Sequence, residues 1–538
     1  MTAIEARMQV HKGFVWIALL LGAVIFGFYL ASNTPLLILA AAGLGWLGTL
    51  PYHARLCAVL GMTTYGSAMM VPLMPGRPFV WEIAALLGWS GVVILVALRR
   101  YSSEFGENFR RYRWILLLTL GYALVLLYLM RTHGLGLRVM GGDKMGGRVY
   151  IQQLACASFP LVFAMLQFTE GHLVRLFTIH LLLSFTFIVS DAALALGSEL
   201  WWVFYFLDLA TDAISFEMGS EATGIHRFQS FAFVSVAMLQ LLLIKVPLRR
   251  IFSGSCIWLV PTLLLIIGFG LPGGHRGVLV LLGGLLLICS WAQKIWSTVR
   301  VTIVFLLFVL GLSFAYAIGS QLPLAAQRTL AVLPGIKLDS VAVEDARSTL
   351  DGRITMREIG IRLIPYYLWR GRGFGPASEP VPYQGHDPYG IITEHVNLGR
   401  FYNGPIGLLV NTGIPGVVCL MGFIFATTGI AFRTLFYIRR QGAEDTFLRF
   451  ACVNSSLWVV HVAVFIFLHG DAEFAMNTFG LHSGIVIASD WAIRGREKRA
   501  RLAATQQAAA RASELAAKQP KVPYKRPSAA LFPRPNAV

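Results

Sequence analysis

Three clusters of charged residues in this sequence have the types and spacing to do chemistry. In 348–364, Arg353 and Arg357 stand four apart while Leu350, Ile354, Ile361 and Ile364 share another side. That spacing predicts an amphipathic helix with both guanidinium groups projecting together. Pro365 is expected to end or kink it. A glycine-rich turn follows, Trp369-Arg370-Gly371-Arg372-Gly373-Phe374-Gly375-Pro376. Glycines there let backbone N–H groups come close to a ligand. The second cluster is His275-Arg276, on a very short connection between two apolar runs with no acid within several residues. An ionisable group in such a place is a functional candidate by default. The third is Glu394, His395, Asn397, Arg400, Tyr402 and Asn403, leading into another apolar run. Guanidinium is planar, permanently charged and bidentate toward phosphate oxygens, so the chemistry these clusters suggest is recognition of phosphate. Blander readings stand beside it: Arg362 can pair with Glu358 along the helix, and Arg370 and Arg372 can be interfacial side chains. His461, His469 and His482 have no metal-ligand spacing, and no metal or cofactor is expected.

The elements that must hold these residues are membrane spans. The chain has 538 residues, 56% hydrophobic and 13% charged, about half the charge of a soluble composition. The apolar residues come in about fourteen runs, each near the 20 residues needed to cross a bilayer. They lie near 14–31, 35–50, 56–73, 80–98, 114–130, 150–169, 176–197, 228–244, 253–271, 276–291, 301–320, 403–432, 450–468 and 477–493. The fold class is therefore an all-α polytopic membrane protein with about 12–14 transmembrane helices. Residues 1–320 hold about eleven of them, 321–400 form a large extracytoplasmic loop subdomain, 401–493 hold the C-terminal helices, and 494–538 form a basic tail. The six cysteines fall in or beside apolar runs without a redox motif and read as buried thiols.

The net charge of +18 follows from topology. Arg99, Arg100, Arg110, Arg111, Arg113, Lys245, Arg249, Arg250, Lys294, Arg300, Arg433, Arg439, Arg440 and Arg449 all fall on one set of alternate loops. The tail adds eleven basic residues against two acids, whereas 321–400 is nearly balanced. By the positive-inside rule both termini are cytoplasmic. The tail is Ala-rich to 517 and Pro-rich from 518, and its basic residues suit anionic lipids; nucleic acid is not an expected partner. The polar residues outside are Glu199, Asp208, Asp212, Glu217, Glu221, His226 and Arg227, then the His275-Arg276 turn, then the long loop.

Four of these stretches, in order across 226–432, resemble the O-antigen ligase and polymerase superfamily of bacterial polytopic glycosyltransferases. His226-Arg227-Phe228 is similar to the first outward-facing arginine of that family, and His275-Arg276-Gly277 to its Ser-Arg-Gly turn with His for Ser. Arg353 followed by Gly371-Arg372-Gly373 resembles the arginine-to-Gly-x-Gly stretch of the periplasmic loop. Tyr402-Asn403-Gly404-Pro405-Ile406-Gly407 and Asn411-Thr412-Gly413-Ile414-Pro415-Gly416 resemble the signature entering the next span, which normally begins His-Asn.

The resemblance implies a GT-C-like enzyme of the bacterial inner membrane. It would join a glycan carried on undecaprenyl pyrophosphate to a carbohydrate or lipid A-core acceptor. Arg227, Arg276 and Arg353 would hold the pyrophosphate, with Arg372, Arg400, Asn403 and Glu394 as further binding residues. Tyr402 replaces the family histidine, and a phenol with a usual pKa of about 10 is a poor base at neutral pH. Either Tyr402 only orients the acceptor, or His395 or Glu394 supplies the base, or the protein binds lipid-linked glycan without transferring it. Ligase, repeat-unit polymerase and protein O-glycosyltransferase stay open, as does a transporter or flippase of lipid-linked glycan. A transporter would want charged residues along its spans, and few besides Asp191 are found there.

Overall fold

A helix that is apolar on every side belongs in lipid, because a water-facing helix keeps one polar face. In the computed structural model, the helix Phe105–His133 buries Ile115, Leu116, Tyr122, Leu126 and Leu129 against its neighbours. It also exposes Trp114, Leu117, Leu120, Leu124 and Leu127 on its other side. The structure describes residues 3–29, 34–72, 74, 77–101, 103–133, 147–209, 225, 227–252, 258–296, 298–375 and 390–518. Asp212, Glu217, Glu221, His226, Cys256, Pro376 and the tail from 519 lie outside them. The described residues are all-helical apart from two isolated bridges, Met69–Leu207 and Met70–Phe79.

Among the described residues, five helices are long and apolar enough to cross a membrane: Val80–Ala97, Phe105–His133, Glu170–Leu196, Gly404–Gln441 and Thr446–His469. Shorter apolar helices are His11–Gly22, Gln229–Lys245, Leu259–Gly273 and Gly277–Ala292. The protein is a multi-pass membrane protein. Some expected spans are broken for local reasons. The run 150–169 is two helices, Gly147–Cys156 and Ser158–Met165, because Pro160 has no N–H for the Cys156 carbonyl. The run 56–73 is helical only over His53–Thr64. The chain divides into two compact units, 1–490 and 491–538. The second is a helical segment to Lys518, exposed from Lys498 to Leu515.

Two features of the first unit shape the site. The helix expected over 348–364 is longer, Ser340–Tyr367. It starts where the Asp339 side chain accepts from Val341 N–H at 2.8 Å, and it passes through Pro365 without ending. The helix Gly404–Gln441 starts on the Asn403 side chain, which accepts from Ile406 N–H at 3.1 Å, and breaks at Gly413 (φ 66°).

Beyond that break Pro415 has no N–H for the Asn411 carbonyl, and the glycine turn fills the vacancy. Gly373 N–H donates to Asn411 O and Arg372 N–H to Val410 O, both at 2.9 Å; in return Ile414 N–H donates to Leu368 O at 2.8 Å. The turn adopts φ 68° at Gly371 and 78° at Gly373. A Cβ on Gly371 would come within 2.5 Å of Asn411 O, and one on Gly413 within 2.7 Å of Trp369 O. Under the junction Met356, Val396, Phe401 and Val410 form a buried cluster with Tyr402 packed against it.

Candidate functional site

Three apolar helices bring their N-terminal ends to one place. Arg227 precedes Gln229–Lys245, His275 and Arg276 precede Gly277–Ala292, and Tyr402 and Asn403 precede Gly404–Gln441. Helix N-termini carry unpaired N–H groups and partial positive charge, so their shared end already favours an anion. The helix Ser340–Tyr367 contributes a stripe at four-residue spacing: Asp345, Thr349, Arg353 and Arg357.

Asp345 is the hub of the arginine cluster. One Arg227 nitrogen donates to its Oδ1 at 2.7 Å and its Oδ2 at 2.8 Å. Arg328 Nε donates to the same Oδ2, and the rest of that guanidinium reaches Gly274 O and, at 2.9 Å, Thr349 Oγ1. Arg276 donates to Ala346 O at 2.9 Å. Arg353 lies two turns further along, its guanidinium 4.9 Å from the Tyr402 ring centre. Two like charges about 6 Å apart repel by about 3 kcal/mol at an effective dielectric of about 20. Four guanidinium groups thus face two carboxylates, Asp345 on Arg227 and Arg328 and Asp471 toward Arg353, and the site is short of negative charge.

His275 sits among these cations with its Nε2 buried and unpaired. Burial, then the fields of Arg328, Arg227 and Arg353, push its pKa down to about 4, so it is neutral at neutral pH. Burial also lowers the pKa of Arg227 and Arg353, but a guanidinium stays charged.

The second half of the site surrounds Tyr402, which holds a left-handed backbone (φ 47°) rare for a bulky residue. Its phenol is pushed up to about 12, first by burial and then by Asp471, against the pull of Arg353 and Arg400. It is protonated at neutral pH and cannot take a proton from an acceptor. His395 lies beside it with ring centres 5.6 Å apart. Its Nδ1 is 2.8 Å from Ile391 O; a carbonyl only accepts, so Nδ1 holds the hydrogen and a neutral ring leaves a lone pair on Nε2. Asp471 faces the same tyrosine and accepts from its backbone N–H, while its Oδ1 is buried without a partner. Burial raises the pKa of this carboxyl against the opposing influence of Arg400, His395 and Arg353.

Arg227, Arg276, Arg353, Tyr402 and His395 are thus brought together. Four other expected residues have different surroundings. Arg372 donates to Gly375 O at 2.6 Å, Asn397 O at 2.5 Å and Val396 O at 2.8 Å, tying the glycine turn to the helix Ile391–Leu398. Freeing it for a ligand would strand three carbonyls, at about 1–3 kcal/mol each where buried. Arg400 pairs with Glu473 at 2.6 Å. Asn403 caps its helix, and Glu394 is exposed. The backbone N–H groups of the glycine turn do not form an anion cradle: those of Gly371, Arg372 and Gly373 go to carbonyls, and that of Phe374 to the Tyr150 hydroxyl at 2.7 Å.

Sequence reasoning missed Arg328, Asp345 and Asp471. For Asp471 a signal existed. His469-Gly470-Asp471-Ala472-Glu473 is a charged connection between apolar helices, the same pattern that singled out His275-Arg276. Arg328 and Asp345 had none, because each is one charge among many in a balanced loop.

Residues 260–421 match the model of a family described as O-antigen ligase. The match takes in His275, Arg276, Arg328, Asp345, Arg353, His395 and Tyr402, while Arg227 and Asp471 fall outside it. No curated protein matches the chain. The chain therefore carries a domain of an enzymatic, glycan-transferring family.

Proposed function

We propose that this O-antigen ligase family domain transfers a glycan from undecaprenyl pyrophosphate to an acceptor hydroxyl at the outer face of the bacterial inner membrane. The observation that carries the reading is the pairing of Arg227 and Arg328 with Asp345, with Arg276 and Arg353 beside them, at the shared end of three apolar helices. A pyrophosphate would supply the missing negative charge, and the guanidinium groups would stabilise the charge growing on it as the glycosidic C–O bond breaks. The acceptor oxygen would bond to the anomeric carbon, its proton passing to Asp471 or to His395 Nε2, and lipid pyrophosphate would leave. Tyr402 would orient the acceptor as a donor.

Both termini are placed in the cytoplasm under this reading, since the arginine cluster lies away from the basic loops. The acceptor class, whether lipid A-core, a growing polysaccharide or a protein, is the finer choice, and anionic lipids are partners for the tail. A flippase would instead need charge along the spans. Asp191, the acid noted there, is buried and accepts from Ser230 N–H at 3.2 Å. The test is transfer in vitro from lipid-linked glycan by Arg276→Ala and Arg353→Ala. Each is expected to lose about 100-fold or more in rate. Wild-type transfer by both would remove the clamp, and lipid translocation without product would favour a transporter.

A further inference from the structure

The helices that start at the arginine cluster end together at a second charged place. Gln229–Lys245 and Gly277–Ala292 have 17 and 16 residues, so at about 1.5 Å per residue their far ends lie about 25 Å away, near the thickness of a hydrocarbon core. There Arg249, Ala292, Gln293, Lys294, Arg439 and Arg440 line a cleft of about 160 Å³. Glu444 is the one acid among its described lining residues.

Two of the four cations are fixed in place. Arg249 Nε donates to Gln293 O at 3.1 Å. Arg439 donates to Trp291 O and lies 4.7 Å from the centre of that indole. Each uses one nitrogen this way and keeps others for a ligand, and together they cover carbonyls at the helix C-terminus that would repel an anion. Lys294 holds a left-handed backbone (φ 52°) just past that terminus. Neither Lys294 nor Arg440 forms an ion pair among the described residues, and both are exposed. Two pinned guanidinium groups and two open cations at the end of apolar helices make a receptor for phosphate next to lipid.

We propose that this cleft binds the phosphate of an anionic phospholipid headgroup at the membrane face opposite the arginine cluster. The site does not depend on the transfer reaction. Each basic residue near a membrane surface is worth about fivefold in affinity for anionic lipid, so two cations are worth about thirtyfold.

The test uses the full chain in nanodiscs of equal phosphatidylglycerol and phosphatidylcholine, with retained lipid counted by native mass spectrometry. Wild type is expected to keep phosphatidylglycerol selectively. Lys294→Asn with Arg440→Gln is expected to lose that preference by about thirtyfold at low salt, with the basic tail unchanged. Asn tolerates the left-handed backbone, and Arg440→Glu alone serves as the second variant if the pair lowers the melting temperature. Equal selectivity in wild type and variants overturns the proposal. A parallel arm titrates inorganic phosphate into detergent-solubilised protein. Stabilisation by phosphate without selectivity between the lipids would assign the cleft to soluble phosphate and overturn the lipid source.

Discussion

A carboxylate that is buried, short of one hydrogen bond and faced by arginines has opposing influences on its proton, and at Asp471 burial is the larger. Its folded pKa is therefore raised, so the ionised form destabilises the fold at pH above that value, and the penalty disappears below the unfolded value near 4. Asp471→Asn keeps an acceptor for the Tyr402 N–H. It should raise the melting temperature in detergent at pH 7 and leave it unchanged near pH 3. The same substitution should cost about 100-fold or more in transfer rate if Asp471 is the base, and should abolish an acidic limb of kcat/KM lying above the usual carboxylate range. If His395→Gln carries those effects instead, the base is His395 Nε2. Arg372→Lys should separate structure from binding: three carbonyls lose a planar donor, so the protein melts about 2–4 kcal/mol less stable with the donor KM unchanged. The arginines near apolar helix ends were legible in the sequence because position alone makes a charge there unusual. What could not be read is the partner. Arg353 on an aromatic face and Arg372 on three carbonyls look alike in a string of letters.

The break in Gly404–Gln441 gives the element scale its sharpest test. Gly413→Ala would force a Cβ to within 2.7 Å of Trp369 O in a left-handed backbone. It should destabilise by about 1–3 kcal/mol from the backbone alone, read by thermal melting. Pro415→Ala should do something different. It restores an N–H that competes for Asn411 O, loosening the glycine turn and lowering transfer while helicity stays the same by circular dichroism. The signature residues were legible as a motif, but the reason for them was not, since the exchange joins residues about forty apart in sequence. Helix existence was read well and helix bounds less well. Pro365, expected to end or kink its helix, lies two residues before the helix ends, where a proline removes one bond as the ladder is ending anyway.

For the whole molecule, the apolar composition carried the fold class and the distribution of basic residues carried an orientation. Impermeant maleimide on intact cells should label Glu394→Cys, and should label Arg440→Cys only after permeabilisation; the reverse pattern inverts the topology. The described native cysteines are buried except half-buried Cys419, and Cys256, outside the described residues, is replaced by serine in the labelling background. The count of spans was less legible, because prolines and glycines inside apolar runs divide them without changing their hydropathy. The exchange of bonds between the glycine turn and the broken helix also sets an order of assembly. The turn is synthesised some forty residues before the carbonyls at 410 and 411 that complete it. Until that later helix has been inserted, the N–H groups of Arg372 and Gly373 have only water to bond. A nascent chain stalled before residue 410 should therefore hold Arg227, Arg276, Arg328 and Arg353 and still lack a formed site.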